Sequence, residues 1–133
     1  VKKKFSLILR IVLGIIFVLC GIMGILNVFF EFAPAAQYTN PIANQFITGM
    51  TNTKYLPILI NFINLVVGIS LLVNRFVPLA LILSTPFSVN IVLFHLFLDI
   101  QTIPPALVIA VINTYLLFVY IDQYKSLLRA KSS

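Results

Sequence analysis

The chain has 133 residues, 61% hydrophobic and only 9% charged, with a net charge of +6; an ordinary soluble domain is near half apolar and about a quarter charged. A soluble fold of this size could not bury so much apolar surface, so lipid must cover part of it, and the mean hydropathy of +1.11 agrees. The basic residues sit at the chain ends and in one turn rather than on one surface, which argues against a nucleic-acid partner; the single cysteine, Cys20, excludes an intrachain disulfide, and one cysteine with one histidine is too few for a soft or imidazole metal site.

Crossing about 30 Å of hydrocarbon takes roughly 20 apolar residues in a helix. Four stretches qualify, at about 6–30, 55–73, 77–98 and 104–121. The first is interrupted only by Arg10, whose long side chain is expected to snorkel to the nearer membrane surface. It carries Gly14, Gly21 and Gly24, small residues that let helices approach closely. Cys20 lies among them; it reads as part of the same packing stripe, since no acid or base near it in sequence would activate its thiol. A rival reading makes Lys2 to Phe30 a signal peptide, with Ala33-Pro34-Ala35 as a cleavage-like site. Against it, the apolar stretch exceeds the usual 7–15 residues of a signal core. Removing it would also leave three helices, with basic flanks on opposite sides.

The connection from Glu31 to Lys54 is the one long one, and these two charges are placed to pair. Asn40-Pro41 reads as a helix cap followed by a first-turn proline. Ile42, Ala43, Phe46, Ile47 and Met50 then recur at helical spacing, predicting a short amphipathic helix on the outer surface or over the bundle mouth. The plainer alternative is an ordered loop whose apolar residues pack down. The next connection is the tight turn Asn74-Arg75 before Phe76-Val77-Pro78, and the last runs from Asp99 to Ile103 before Pro104-Pro105. Such short links force neighbouring helices antiparallel, and in lipid only helices satisfy every backbone group of an unclosed chain. The expectation is one all-α domain over residues 1–133, an up-down-up-down four-helix membrane bundle.

Charge orients it. Lys2, Lys3, Lys4, Arg10, Arg75, Lys125, Arg129 and Lys131 fall on one side and Lys54 alone on the other, eight of the nine cations against one. By the positive-inside rule both termini are cytoplasmic. Tyr115, Tyr120 and Tyr124 then mark the cytoplasmic interface.

Polar groups inside a membrane are expensive and informative. At 1.5 Å per residue, Asn64, Asn90 and Asn113 each lie roughly 12–14 Å below the outer boundary, with Asn61 one turn above Asn64 and Gly68 one turn below. Two readings stand: amides bonding across helices as glue, or a polar pocket for a small carbonyl-bearing or quinone-like ligand. His95 and Asp99, four residues apart near the outer end of the third span, share a face, which Ser84 and Ser88 continue inward. A carboxylate there can orient the imidazole, and the pair could gate a proton or bind a substrate. Otherwise His95 packs near the interface and Asp99 ends the helix in water. Any site in the bundle is expected to open outward, beneath the long connection.

The first span (LRIVLGIIFVLCGIMGILNVFFEF), the turn GISLLVNRFVPLAL and the third-span segment NIVLFHLFLD together resemble the DoxX family of small four-helix bacterial membrane proteins. The resemblance covers nearly the whole chain; the turn and the third-span segment are its more specific parts. It implies a bacterial inner-membrane protein linked to quinone-coupled sulfur oxidation or to oxidoreductase complexes of oxidative and thiol stress. A quinone is the cofactor this implies, and a membrane or periplasmic redox protein the partner, besides the lipid bilayer. Many members carry a Glu in the second span shortly before the small residue matched by Gly68; Asn64 stands there in this chain, and an amide cannot exchange a proton as a carboxylate does. His95 and Asp99 match the third-span pattern, which leaves them the first candidates for proton handling or ligand binding. Competing functions are a small transporter or lipid-handling protein with an outward pocket, and a purely structural subunit.

Overall fold

The computed structural model describes residues 2–31, 37–127 and 129; the Ala33-Pro34-Ala35 segment and Lys131 lie outside them. The described residues form α1 (Lys2–Phe30), α2 (Pro41–Asn52), α3 (Tyr55–Val73), α4 (Val77–Leu98) and α5 (Ile103–Val119), with 3-10 turns at Ile100–Thr102 and Ile121–Tyr124. Four of these helices, α1, α3, α4 and α5, are long and apolar enough to cross a membrane. The fold is the expected all-α four-helix membrane bundle.

The connections explain the antiparallel order. Asn74 takes the left-handed conformation after α3 and its N–H closes on the Ser70 carbonyl, a helix stop that Asn tolerates better than most residues. Pro78 then sits in the first turn of α4, where its missing N–H costs nothing. The Asn40 side chain accepts the Ile42 N–H at 2.8 Å and Pro41 opens α2, so the long connection does contain a short helix. It packs against α3 and α4. Its seat on α4 is aromatic: Phe94 meets Tyr38 edge-on at 5.3 Å and Phe46 at 5.6 Å. Glu31 and Lys54 form no ion pair; among the described residues the ion pair is Lys125 with Asp122 at 2.9 Å. The fourth span stops at Val119, two residues before the expected end. There the chain tightens into the 3-10 turn, and the Tyr124 hydroxyl donates to the Pro78 carbonyl at 2.7 Å, tying the end of the chain to the start of α4.

The helices join as two intimate pairs, α1 with α3 and α4 with α5. Glycines make the first pair. A Cβ on Gly68 would lie 2.7 Å from the Val18 nitrogen and 2.8 Å from the Gly14 carbonyl oxygen, so the two backbones touch there. Gly21 approaches the Asn61 carbonyl just as closely. The pairs meet through Leu13, Phe17, Leu71, Leu81 and Leu116, all buried. These lie in the half of the bundle nearer the termini. Toward the other end the buried side chains include Ser88 and Asp99. Phe62, Val111 and Phe118 are more than half exposed along the spans, apolar surface that only lipid can cover.

Candidate functional site

α4 ends where Asp99 leaves helical geometry, its N–H still bonded to the His95 carbonyl at 3.2 Å. The 3-10 turn that follows brings Thr102 back beside them, at the start of a helix opened by Pro104 and Pro105. The Thr102 hydroxyl lies 2.7 Å from His95 Nδ1 and donates to Asp99 Oδ2. The two candidates that share a face are therefore joined side chain to side chain through a third residue. One hydroxyl has one proton to give. If it goes to the carboxylate, the hydroxyl oxygen must accept from His95 Nδ1–H, which assigns the tautomer and leaves Nε2 as the open acceptor. Phe94 stands perpendicular to the imidazole at 5.3 Å, so the ring that seats α2 also packs against His95. Asp99 is 9% exposed. Beside it opens a cavity of about 370 Å³ lined by Thr39, Asn40, Leu96, Phe97, Leu98, Asp99, Ile100 and Gln101. Paired hydrogen bonds between Tyr38 and Asn44, at 2.8 and 2.9 Å, shape the Thr39-Asn40 wall.

The amides do not gather into one pocket. Asn113, 2% exposed, accepts from Ser84 Oγ at 2.5 Å and donates to Thr85 Oγ1 at 3.2 Å, fastening α5 to α4. Asn61 donates to the Pro57 carbonyl of its own helix at 2.7 Å and lies against Gly24, whose missing Cβ gives it room. Asn64 is half-buried on α3, and Asn90 is exposed on α4. Ser88, one turn beyond Ser84 toward His95, is buried, and its Oγ has no hydrogen-bond partner among the described residues. Thr102 was not among the sequence candidates. Its signal was present all the same: a hydroxyl residue just before the helix that Pro104-Pro105 opens, three residues after Asp99.

The larger cavity, about 680 Å³, opens at the opposite end, between α1, the end of α3 and α5. Arg10 lines it. The guanidinium donates to Asn74 Oδ1, because the α3 stop brings that amide alongside α1.

The DoxX family model matches residues 5–97. That span runs from the first turn of α1 through nearly all of α4, and so includes His95 but neither Asp99 nor α5. No curated protein and no solved structure matches the chain. Matched over more than half its length, and folded as four apolar helices in the expected order, the chain belongs to the DoxX family.

Proposed function

We propose that this DoxX-family protein supports a redox process in the bacterial inner membrane, both termini cytoplasmic, as a quinone-interacting or partner-anchoring subunit, of which the quinone-interacting role is the better supported. The hydrogen-bonded chain His95–Thr102–Asp99 carries the reading. It couples two titratable groups at the outer membrane boundary, next to a cavity that contains a carboxylate. A quinone head is a flat apolar ring with an acceptor carbonyl at each side. The cavity sets Leu96, Phe97, Leu98 and Ile100 beside the donors Thr39, Asn40 and Gln101, a composition that suits such a head. A quinone held there by these residues would supply the electron acceptor. His95 Nε2 collects a proton from outer water, Nδ1 passes its own to the Thr102 oxygen, and the Thr102 proton moves to Asp99. Asn64, without a titratable proton, has at most a binding role.

Quinone extracted with the purified protein tests this. Wild type should retain it, and His95→Ala and Thr102→Val should lose most of it while remaining folded by circular dichroism. A deletion strain should show altered sensitivity to thiol oxidants that wild type restores and His95→Ala does not. Equal quinone in all three proteins, with full rescue by His95→Ala, would remove the site from consideration.

A further inference from the structure

Arg10 is the most expensive side chain in the bundle. It is 9% exposed, about two turns into α1, and its guanidinium makes one hydrogen bond, to a neutral amide. Its Nε is buried with no hydrogen-bond partner among the described residues. Arginine does not shed its charge, and a buried, unpaired charge is costly. Asp and Glu supply three side-chain carboxylates, and none of these lines this cavity. Glu31 and Asp99 belong to the opposite end, and Asp122 is paired with Lys125 on the surface. What lies around Arg10 is instead a set of hydrogen-bond donors: Lys3, the hydroxyls of Ser6 and Tyr115, which are 3.5 Å apart, and Tyr120. The cavity wall continues through Leu7, Phe118 and Val119, which are exposed on the lipid-facing surface.

From this we infer that the Arg10 cavity binds the phosphate of an anionic phospholipid from the leaflet at the end that bears both termini. The guanidinium fork matches a phosphate. Lys3 adds charge at the rim and Ser6 and Tyr115 add donors. The acyl chains leave along Leu7 and Phe118 without crossing a polar barrier. The electrostatics of this end favour the same occupant: Lys3, Lys4, Arg10, Arg75 and Lys125 all belong to it, and each basic residue near a surface attracts anionic lipid. A free phosphate shares the head chemistry but has no use for the apolar exit. The site lies at the opposite end of the bundle from the His95 network and does not depend on any redox role.

Native mass spectrometry of the full chain in a neutral detergent separates the outcomes, with phosphatidylglycerol, phosphatidylcholine and inorganic phosphate as probes. Wild type should retain one phosphatidylglycerol in preference to phosphatidylcholine, with inorganic phosphate displacing it poorly. Arg10→Gln should weaken phosphatidylglycerol retention by about tenfold to a hundredfold, the worth of a charge-assisted hydrogen bond. If Arg10→Gln does not fold, Ser6→Ala combined with Tyr115→Phe takes its place, with a loss of several-fold expected. Equal retention of the two lipids overturns the proposal, as does undiminished retention in the variant that folds. Inorganic phosphate that competes as well as lipid overturns the lipid as occupant.

Discussion

Replacing Gly68 by alanine tests how the bundle is held together, because the added methyl has nowhere to go. Its carbon would sit 2.6 Å from Val18 Cγ2, 2.7 Å from the Val18 nitrogen and 2.8 Å from the Gly14 carbonyl oxygen. Two of these are backbone atoms that no rotamer change can clear, so α1 and α3 must part by about half an ångström or more. A gap of that size forfeits a quarter to a half of each dispersion contact, each worth about 0.1–0.2 kcal/mol. Over some 50 atom pairs at the seam, on the order of one buried side chain's worth, the loss is about 2–4 kcal/mol. Alanine returns about 1 kcal/mol through its better helix propensity. The net expectation is a destabilisation of about 1–3 kcal/mol, in the range typical of overpacking. Unfolding in mixed micelles of increasing denaturing-detergent fraction, followed by circular dichroism, measures it. Gly49→Ala is the internal control: nothing lies within 4 Å of a Cβ there, so only the propensity gain remains. If Gly68→Ala proves as stable as wild type, the reasoning that backbone contact at glycine holds α1 to α3 is refuted.

Asn113→Leu removes the α4–α5 link, but Thr85 keeps its bond to the Leu81 carbonyl and the Ser84 hydroxyl can turn its proton to the same oxygen, so the cost should lie between the average and the largest membrane hydrogen bond, about 0.6–1.7 kcal/mol; the same detergent titration reads it, with exposed Asn90→Leu expected to change nothing. Burial, and then the neighbouring Tyr120, raise the Tyr124 phenol above its ordinary value. Only the protonated phenol donates to Pro78, so this contact stabilises fully below the unfolded-state value of about 10 and is lost as pH rises through the higher folded-state value. Difference absorbance should show one tyrosine titrating late in wild type and absent in Tyr124→Phe, which should cost about 0.5–1.5 kcal/mol at neutral pH. Thr102→Val should release His95 from the Nδ1–H tautomer; ring nitrogen chemical shifts should move toward Nε2–H by about fivefold in population, the equivalent of one ordinary hydrogen bond.

The four spans and the positions of their turns were legible because lipid makes two simple demands, length and apolarity, and because Asn74, Pro78 and Asn40-Pro41 have local chemistry that ends and begins helices. The inward-facing sides of the helices were harder to read. In water a helix marks its buried side by being apolar there; in a bilayer both sides are apolar, so Asn90 and Asn113, matched in depth, gave no sign that one is exposed and the other buried. Small residues were the better guide, since Gly14, Gly21, Gly24 and Gly68 all lie on the α1–α3 seam. The spacing of His95 and Asp99 was sound as far as their helix extends, but the residue that joins them lies beyond its end. The partner of Arg10 was hidden for a related reason. That partner, Asn74, is 64 positions away, and only the α3 stop brings it within reach. The larger of the two cavities described opens at the end of the bundle that bears the termini, opposite the end where a site was expected.

The two helix pairs are held by different means, and this bears on where ligands can act. α1 and α3 meet backbone to backbone and leave no room between them. α4 and α5 meet through Asn113, Ser84 and Thr85, a compact polar clasp. Between the pairs the contact is mainly the apolar core, and α1 touches α5 less extensively than either touches its own partner. The Arg10 cavity lies on that looser seam, lined by residues of α1, α5 and the α3 stop, one pair on one side and a member of the other pair opposite. A phosphate held there would contact both pairs at once, so its binding free energy would enter the stability of the whole bundle rather than of one helix. At a hundred times its dissociation constant, a ligand bound only by the folded state contributes about 2.7 kcal/mol, comparable to the loss expected from Gly68→Ala. Anionic lipid should therefore raise the unfolding midpoint of Gly68→Ala as it does that of wild type, and should fail to do so once Arg10 is replaced.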